Sequence, residues 1–200
     1  MTLILTNEEI ESIFTLDECF HALEPALLDL GNGEALSMPR QDLLVPGPLD
    51  GSYHGLKTSC ASLPRAQVTT MRLTSDILTW PIVGGRQRRV KVPLAMGGKY
   101  VGLVFLFSTA TGELLAIFPD GVMQAIRVGV TNALSAKYLA RQDSAVLALF
   151  GSGWQAGPAV TAMCRVLPFK EVRVFSPTEK NRVAFVRKME QLYVLLCEGS

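Results

Sequence analysis

The residues whose chemistry is clearest form a glycine-rich turn, Gly151-Ser-Gly153-Trp-Gln155-Ala156, which follows the apolar residues 145–150. In a G-x-G-x-x-A turn between a strand and a helix, the first glycine permits the tight turn and the second lets a pyrophosphate approach the backbone. N–H groups at the start of the helix then hold the anion. The turn therefore predicts a dinucleotide site, and an ordinary glycine turn in another α/β protein is the alternative.

The sequence around the turn supplies the elements that such a site needs. A helical spacing of apolar residues continues to Leu167, and Pro168 ends it. The segment 171–175 then predicts a second strand, which completes the strand, helix, strand order of a βαβ unit. We therefore predict an α/β chain whose second part is a Rossmann-type dinucleotide-binding domain.

Arg72 is a candidate for binding a carboxylate. It lies in the Val- and Thr-rich segment 66–79, whose alternation places it on the opposite strand face from Met71 and Leu73. A guanidinium binds a carboxylate through two parallel hydrogen bonds, so Arg72 suits an acidic ligand if its face lines a pocket. A solvated strand face is the alternative.

A second arginine, Arg127, lies near the start of a long helix predicted from residue 121 to near residue 141. A positive charge in the first turns of a helix opposes the helix dipole, and a bound anion would account for it. A surface salt bridge is the alternative. Just before this helix, residues 101–118 alternate around a turn at Gly112 and predict a β-hairpin.

The end of the second strand bears on the choice of nucleotide. An acidic residue there would bind the ribose 2′-OH and favour NAD. This chain instead has Ser176 and Thr178, followed by Lys180 and Arg182, so no carboxylate repels a 2′-phosphate, and the expected cofactor is NADP or NAD. The alternative is that Ser176 caps a helix whose first residue is Pro177.

The N-terminal part contains two capping-box spacings, Thr6 to Glu9 and Thr15 to Glu18, and each predicts a helix start. Further on, a run of basic residues predicts a solvated loop, because it has no interleaved aromatic residues: Arg86, Arg88, Arg89 and Lys91.

Composition argues against several classes of protein. The chain has 19 Lys and Arg residues against 18 Asp and Glu, a formal net charge of +1, which gives no general attraction to nucleic acid or an anionic membrane. Its four cysteines and two histidines are scattered, so we expect no metal site and a reducing cytoplasm. No apolar run approaches the ~20 residues of a membrane helix, and the N-terminus is not a signal peptide.

Several of these segments together resemble the ornithine cyclodeaminase and mu-crystallin family. They are residues 123–141, the glycine turn, residues 111–117 and Met38-Pro39-Arg40. The likeness runs from residue 1 to near residue 190. It implies a substrate-binding and dimerisation domain of mixed α and β structure at 1–121, a connecting helix at 122–142 and a Rossmann-type domain at 143–200.

The resemblance implies NAD(P)-dependent chemistry on a small amino acid or imine. The reaction expected first is deaminating cyclisation of L-ornithine to proline. The alternatives are reduction of a ketimine or cyclic imine, oxidation of an amino acid, and binding of NADP or a small ligand without turnover. The family further implies a homodimer of the full-length parent protein.

Site residues are implied position by position. Arg40 and Arg127 match arginines that bind the substrate carboxylate, and Arg72 matches a family lysine near the reacting carbon. Because an arginine effectively cannot give up its proton, acid–base work by Arg72 is in doubt. The cofactor turn is matched by Gly151, Gly153, Gln155 and Ala156, with Ser176, Thr178 and Arg182 as candidates for the nucleotide end.

Family members continue beyond the point at which this chain ends, and an aspartate credited with acid–base work lies in that further segment. We therefore expect a partial Rossmann domain, no catalytic residue of that kind within residues 1–200, and impaired activity and solubility of the chain expressed alone. Two parallel strands and two helices would leave one sheet edge and one helix-facing surface bare.

Overall fold

The protein is described by a computed structural model for residues 1–83, 85–92 and 102–198. The chain divides into two compact units. The first consists of residues Met1–Phe14 and Pro25–Val122, and the second of Thr15–Glu24 and Met123–Ser200. No described helix is both long enough and apolar enough to cross a membrane.

The first unit is built on a sheet in which β1 pairs with its neighbour in parallel and all other pairs are antiparallel. Its described strands are β1 (Leu3–Ile4), β2 (Leu36–Ser37), β3 (Gln41–Pro46), β4 (Tyr53–Leu63), β5 (Val68–Thr79), β8 (Val90–Val92), β9 (Gly102–Ser108) and β10 (Leu114–Pro119). The order is β1-β10-β9-β5-β4-β2, with β3 also on β4 and β8 also on β5. A separate hairpin joins β6 (Ile82–Val83) and β7 (Arg86–Gln87).

Two parts of this sheet differ from the sequence prediction. The segment after Gly55 was not predicted as a strand, yet β4 is central and pairs along its length with β5. The basic run was predicted to be a solvated loop, which is wrong for Arg86, because it lies in β7. It is also wrong for Lys91, because β8 pairs with β5 and places Lys91 opposite Leu78. The predicted hairpin is confirmed as β9 and β10, and its turn contains Gly112 at φ 75°.

The predicted helix starts are confirmed. Thr6 and Glu9 exchange the two hydrogen bonds of a capping box before α1 (Asn7–Ile13). Thr15 and Glu18 do the same before α2 (Leu16–Gly31), and these bonds lower the pKa of the Glu18 carboxyl. The long helix is α3 (Gly121–Leu139), which ends two residues before the predicted position.

The second unit contains the predicted βαβ unit. Strand β11 (Val146–Phe150) leads through the glycine turn to α4 (Ala156–Val166), and β12 (Glu171–Phe175) pairs in parallel with β11 before α5 (Glu179–Glu198) begins. One face of the two strands packs on a core from α4 and α5: Ala156, Val160, Phe185 and Met189. The other face is bare, with Phe150 82% exposed and Phe175 59% exposed, as expected from the sequence.

Gly129 of α3 lies against the backbone of α4. A Cβ at Gly129 would stand 2.6 Å from the carbonyl oxygen of Pro158, a distance that side chains do not tolerate. Gly157 of α4 has room, because a Cβ there would meet only the sulfur of Met189, at 3.7 Å. The close packing of α3 on α4 therefore requires glycine at position 129.

We expect Gly129→Ala to destabilise the protein by roughly 1–3 kcal/mol, because overpacking against fixed backbone outweighs the gain in helix propensity. Gly157→Ala is the matched control, and it should be neutral or stabilise by up to about 1 kcal/mol. Urea unfolding of both variants measures the difference. Equal effects of the two substitutions would contradict this packing.

Candidate functional site

The glycine turn of the second unit has the geometry of an open anion site. Gly151 adopts φ 108°, which glycine tolerates best, and its N–H donates to the carbonyl oxygen of Phe175 at 2.8 Å. This bond ties the turn to the end of β12. A Cβ added at Gly151 or Gly153 would meet no atom within 4 Å, so the space in front of the turn is open.

The backbone of the turn also leaves hydrogen-bond donors for a ligand. Ala156 donates to the carbonyl of Gly153 at 3.0 Å, and Gln155, the residue before α4, provides no side-chain cap. Within the described part of the chain, the N–H groups of residues 152–155 donate to no protein acceptor. Such N–H groups, together with the positive end of the α4 dipole, favour a phosphate. The residues present therefore fit the pyrophosphate of a dinucleotide.

The nucleotide end of the site is organised by Ser176. Its hydroxyl accepts a hydrogen bond from the Ser152 hydroxyl at 3.0 Å, and its carbonyl accepts one from Nη1 of Arg182 at 2.9 Å. Ser176 is buried and α5 begins only at Glu179, so the alternative in which Ser176 caps a helix starting at Pro177 is wrong. Thr178 is exposed and Arg182 half-buried.

A cavity of about 660 Å³ adjoins the turn within the second unit. It is lined by Gly153 and Trp154 of the turn, by Pro158 and Thr161 of α4, and by Phe185 and Lys188 of α5, among others. Its walls are mainly apolar, with a lysine at the rim.

Comparison with known proteins identifies the family to which this site belongs. The family model described as "Ornithine cyclodeaminase/mu-crystallin family" matches residues 79–198. The chain belongs to the ornithine cyclodeaminase/mu-crystallin family. It is 30% identical over 197 residues to the alanine dehydrogenase of Archaeoglobus fulgidus, an alignment that covers 94% of this chain and 52% of that protein.

Solved structures of other proteins share the fold. An archaeal alanine dehydrogenase dimer with bound NAD superposes with a TM-score of 0.75 at 28% identity, over 95% of this chain and 53% of that one. The Δ1-pyrroline-2-carboxylate reductase of Thermococcus litoralis, in complex with NADH and L-proline, gives a TM-score of 0.73 at 22% identity, over 94% and 53%. The present chain thus spans about half the length of these relatives.

The first unit of this family member carries a charged face on its sheet. Opposed residues of antiparallel strands point to the same face, and the register pairs Asp42 with Lys57, Lys57 with Thr74, and Leu78 with Lys91. Alternate residues along a strand also share a face. Among the described residues, the charged face therefore carries these Asp, Lys and Arg side chains: Asp42, Lys57, Arg72, Asp76 and Lys91. Arg40 and Asp120 bind to it from its margins.

Arg72 is held on the charged face by a buried carboxylate. Its Nε donates to Oδ2 of Asp120, whose other oxygen accepts the N–H of Gly102 at 2.7 Å. Only 4% of the Asp120 side chain and 28% of the Arg72 side chain are exposed, so a solvated strand face, the alternative for Arg72, is not what the structure has. The bond to Asp120 uses one of the five guanidinium donors.

The other two arginines differ in their surroundings. Arg40, in the first unit, is exposed. Its Nε and Nη2 donate to the two carboxylate oxygens of Asp42, at 2.7 and 2.9 Å. Arg127 lies on α3 in the second unit, and its carbonyl accepts the Thr131 hydroxyl. Burial raises the pKa of the Cys19 thiol, and the charge of Arg127 partly offsets that rise. Binding of a substrate carboxylate by Arg40, Arg72 and Arg127 stays a prediction.

Sequence reasoning missed Lys57, Asp76 and Lys91. Both lysine ammonium groups contact the same carboxylate oxygen of Asp76, and the Asp76 side chain is fully buried. Burial lowers the pKa of Lys91, and the negative charge of Asp76 opposes that change. The period-two spacing of Arg72, Thr74 and Asp76 was the available signal, because it places all three on one strand face. No cluster of His, Cys, Asp and Glu in the described residues could hold a metal ion.

We expect Asp120→Ala to destabilise the first unit by roughly 1–3 kcal/mol, because it leaves a half-buried guanidinium and a backbone N–H without their acceptor. Asp42→Ala, which breaks the exposed pair with Arg40, should cost at most about 1 kcal/mol. Urea denaturation of the two variants tests the difference. A loss at Asp42 as large as that at Asp120 would refute this assignment of roles.

Proposed function

We propose that this chain binds a nicotinamide dinucleotide and takes part in oxidoreductase chemistry on a small amino acid or its imine. The observation that carries the proposal is the open glycine turn, whose four N–H groups have no acceptor in the described chain. When bound, the nicotinamide would supply the hydride acceptor or donor of the reaction. The relatives named as alanine dehydrogenase and pyrroline-2-carboxylate reductase support this class of reaction.

The charged face of the first unit supports an amino acid as the substrate. Arg72, fixed by Asp120, still has guanidinium donors for a carboxylate, whereas Arg40 would have to release Asp42 to bind one. Deaminating cyclisation of L-ornithine to proline is the finer proposal from the family, with imine reduction and amino-acid oxidation as alternatives. All three would begin or end with hydride transfer at the carbon that bears nitrogen. We further propose a homodimer, since a relative is described as a dimer.

We expect NADPH to bind the chain with a rise in nicotinamide fluorescence, and Gly153→Ala to weaken that binding at least about tenfold, because its Cβ enters the space of the pyrophosphate. The substitution should leave the unfolding midpoint unchanged, since no protein atom lies near that Cβ. Equal affinity of the wild type and the variant would overturn the placement of the dinucleotide.

The nucleotide preference can be tested at Arg182. If its guanidinium contacts a 2′-phosphate, Arg182→Ala should weaken NADPH binding about tenfold or more and leave NADH binding nearly unchanged. A merely structural role, through its bond to the Ser176 carbonyl, would weaken both cofactors alike. Fluorescence titrations of the variant with both nucleotides distinguish the two outcomes.

A further inference from the structure

The outer edge of β12 carries backbone groups that no described strand pairs with. On the inner side, toward β11, Glu171 donates its N–H to the carbonyl of Ala145, and the Phe175 carbonyl accepts a bond from the glycine turn. Because successive residues of a strand direct their backbone groups alternately to its two sides, those of Val172 and Val174 point outward. Among the described residues, β11 is the one strand that pairs with β12. Such an edge is a template for a further strand.

An apolar groove runs beside this edge, between β12 and α5. It consists of two adjoining cavities of about 390 and 440 Å³, both lined by Val174, Val186 and Glu190. Val172 and Phe185 also line the smaller of the two. No residue of β11 lines either cavity, so the groove lies toward the outer side of β12. A strand that pairs with this edge would therefore also remove the apolar walls of the groove from water.

The charges of β12 make its edge complementary to itself. Glu171 and Arg173 point to the opposite face from the valines, and 51% and 69% of their side chains are exposed. When two copies of the strand pair antiparallel, a two-fold axis at Val172 places Glu171 of each copy opposite Arg173 of the other. An axis at Arg173 would place two arginines opposite each other. Because opposite charges stabilise a cross-strand pair and like charges destabilise it, the register centred on Val172 is favoured.

We propose that two copies of this chain associate through β12, which pairs antiparallel with β12 of the second copy and forms a continuous four-stranded sheet. In the register centred on Val172, the two copies of this residue exchange both backbone hydrogen bonds. Both copies use the same surface, so the contact closes after two chains. The inference goes beyond the proposed function, since neither the nucleotide nor a substrate takes part in the contact.

Charge reversal tests the contact and its register. Glu171→Arg makes both charged residues of β12 positive, and Arg173→Glu makes both negative, so each variant would place like charges opposite each other in a self-pair. By light scattering at equal concentration, each variant alone should have half the molar mass of the wild type. An equimolar mixture of the two should recover the wild-type mass, because opposite charges then face each other. Loss of folding would not produce this recovery.

Hydrogen exchange of the wild-type chain tests the same contact without a substitution. The amide of Val172 points to the outer edge and should exchange at least about tenfold more slowly at concentrations where the chain is paired than in dilute solution. The amide of Arg173 is the matched control. Its exchange should not depend on concentration, since it points toward β11. If either charge variant fails to fold, this measurement decides the matter.

Three results would overturn the proposal. They are a wild-type mass of one chain, 21.7 kDa, at every concentration, an assembly whose mass neither variant changes, and a mixture that stays at the mass of its components. The first would leave the edge to a different partner, and the second would place the proposed homodimer on another surface.

Titration with NADPH separates this inference from the proposed function. Glu171→Arg should bind NADPH as the wild type does, because residue 171 lies at the opposite end of β12 from the glycine turn. Absence of NADPH binding by the wild type would reject the proposed function and leave the pairing of β12 to be decided by the molar masses.

Discussion

The arrangement of the first unit depends on a buried carboxylate, that of Asp120, which is satisfied by donors of the sheet. Asp120 is buried at the end of β10, where its two oxygens accept from the Arg72 guanidinium and the Gly102 backbone. Position 102 must be glycine, because a Cβ there would stand 2.5 Å from the Asp120 carboxylate. The position of Arg72 and the junction of β5 with β9 therefore rest on a single carboxylate.

In the second unit, by contrast, several backbone N–H groups of the glycine turn make no hydrogen bond within the described protein. Gly151 and Ser176 fasten the turn to the end of β12, and the next four N–H groups remain without acceptors in the described chain. Rigid support next to unused donors is what a preorganised anion site requires. The first unit thus satisfies its buried charges within the protein, whereas the second leaves backbone donors open to an anion.

The elements that could be predicted from sequence are those whose pattern is local. The capping boxes, the β9–β10 hairpin, α3 and the βαβ unit each have their signal within a few consecutive residues. Strand β4 was missed because Lys57 and the polar residues after it show no apolar alternation. Lys57 is buried only because Asp76, 19 residues away, pairs with it. Similarly, the role of Ser176 depends on Ser152, 24 residues earlier.

The central claim is that the turn at residues 152–155 holds the pyrophosphate of a nicotinamide dinucleotide. The most direct measurement is a titration of the ¹⁵N-labelled chain with NADPH, followed through the backbone amide resonances. The account predicts that the largest shifts fall on Ser152, Gly153, Trp154 and Gln155, because their N–H groups gain an acceptor. Saturable binding that leaves these four resonances unmoved, or no binding at all, would contradict it.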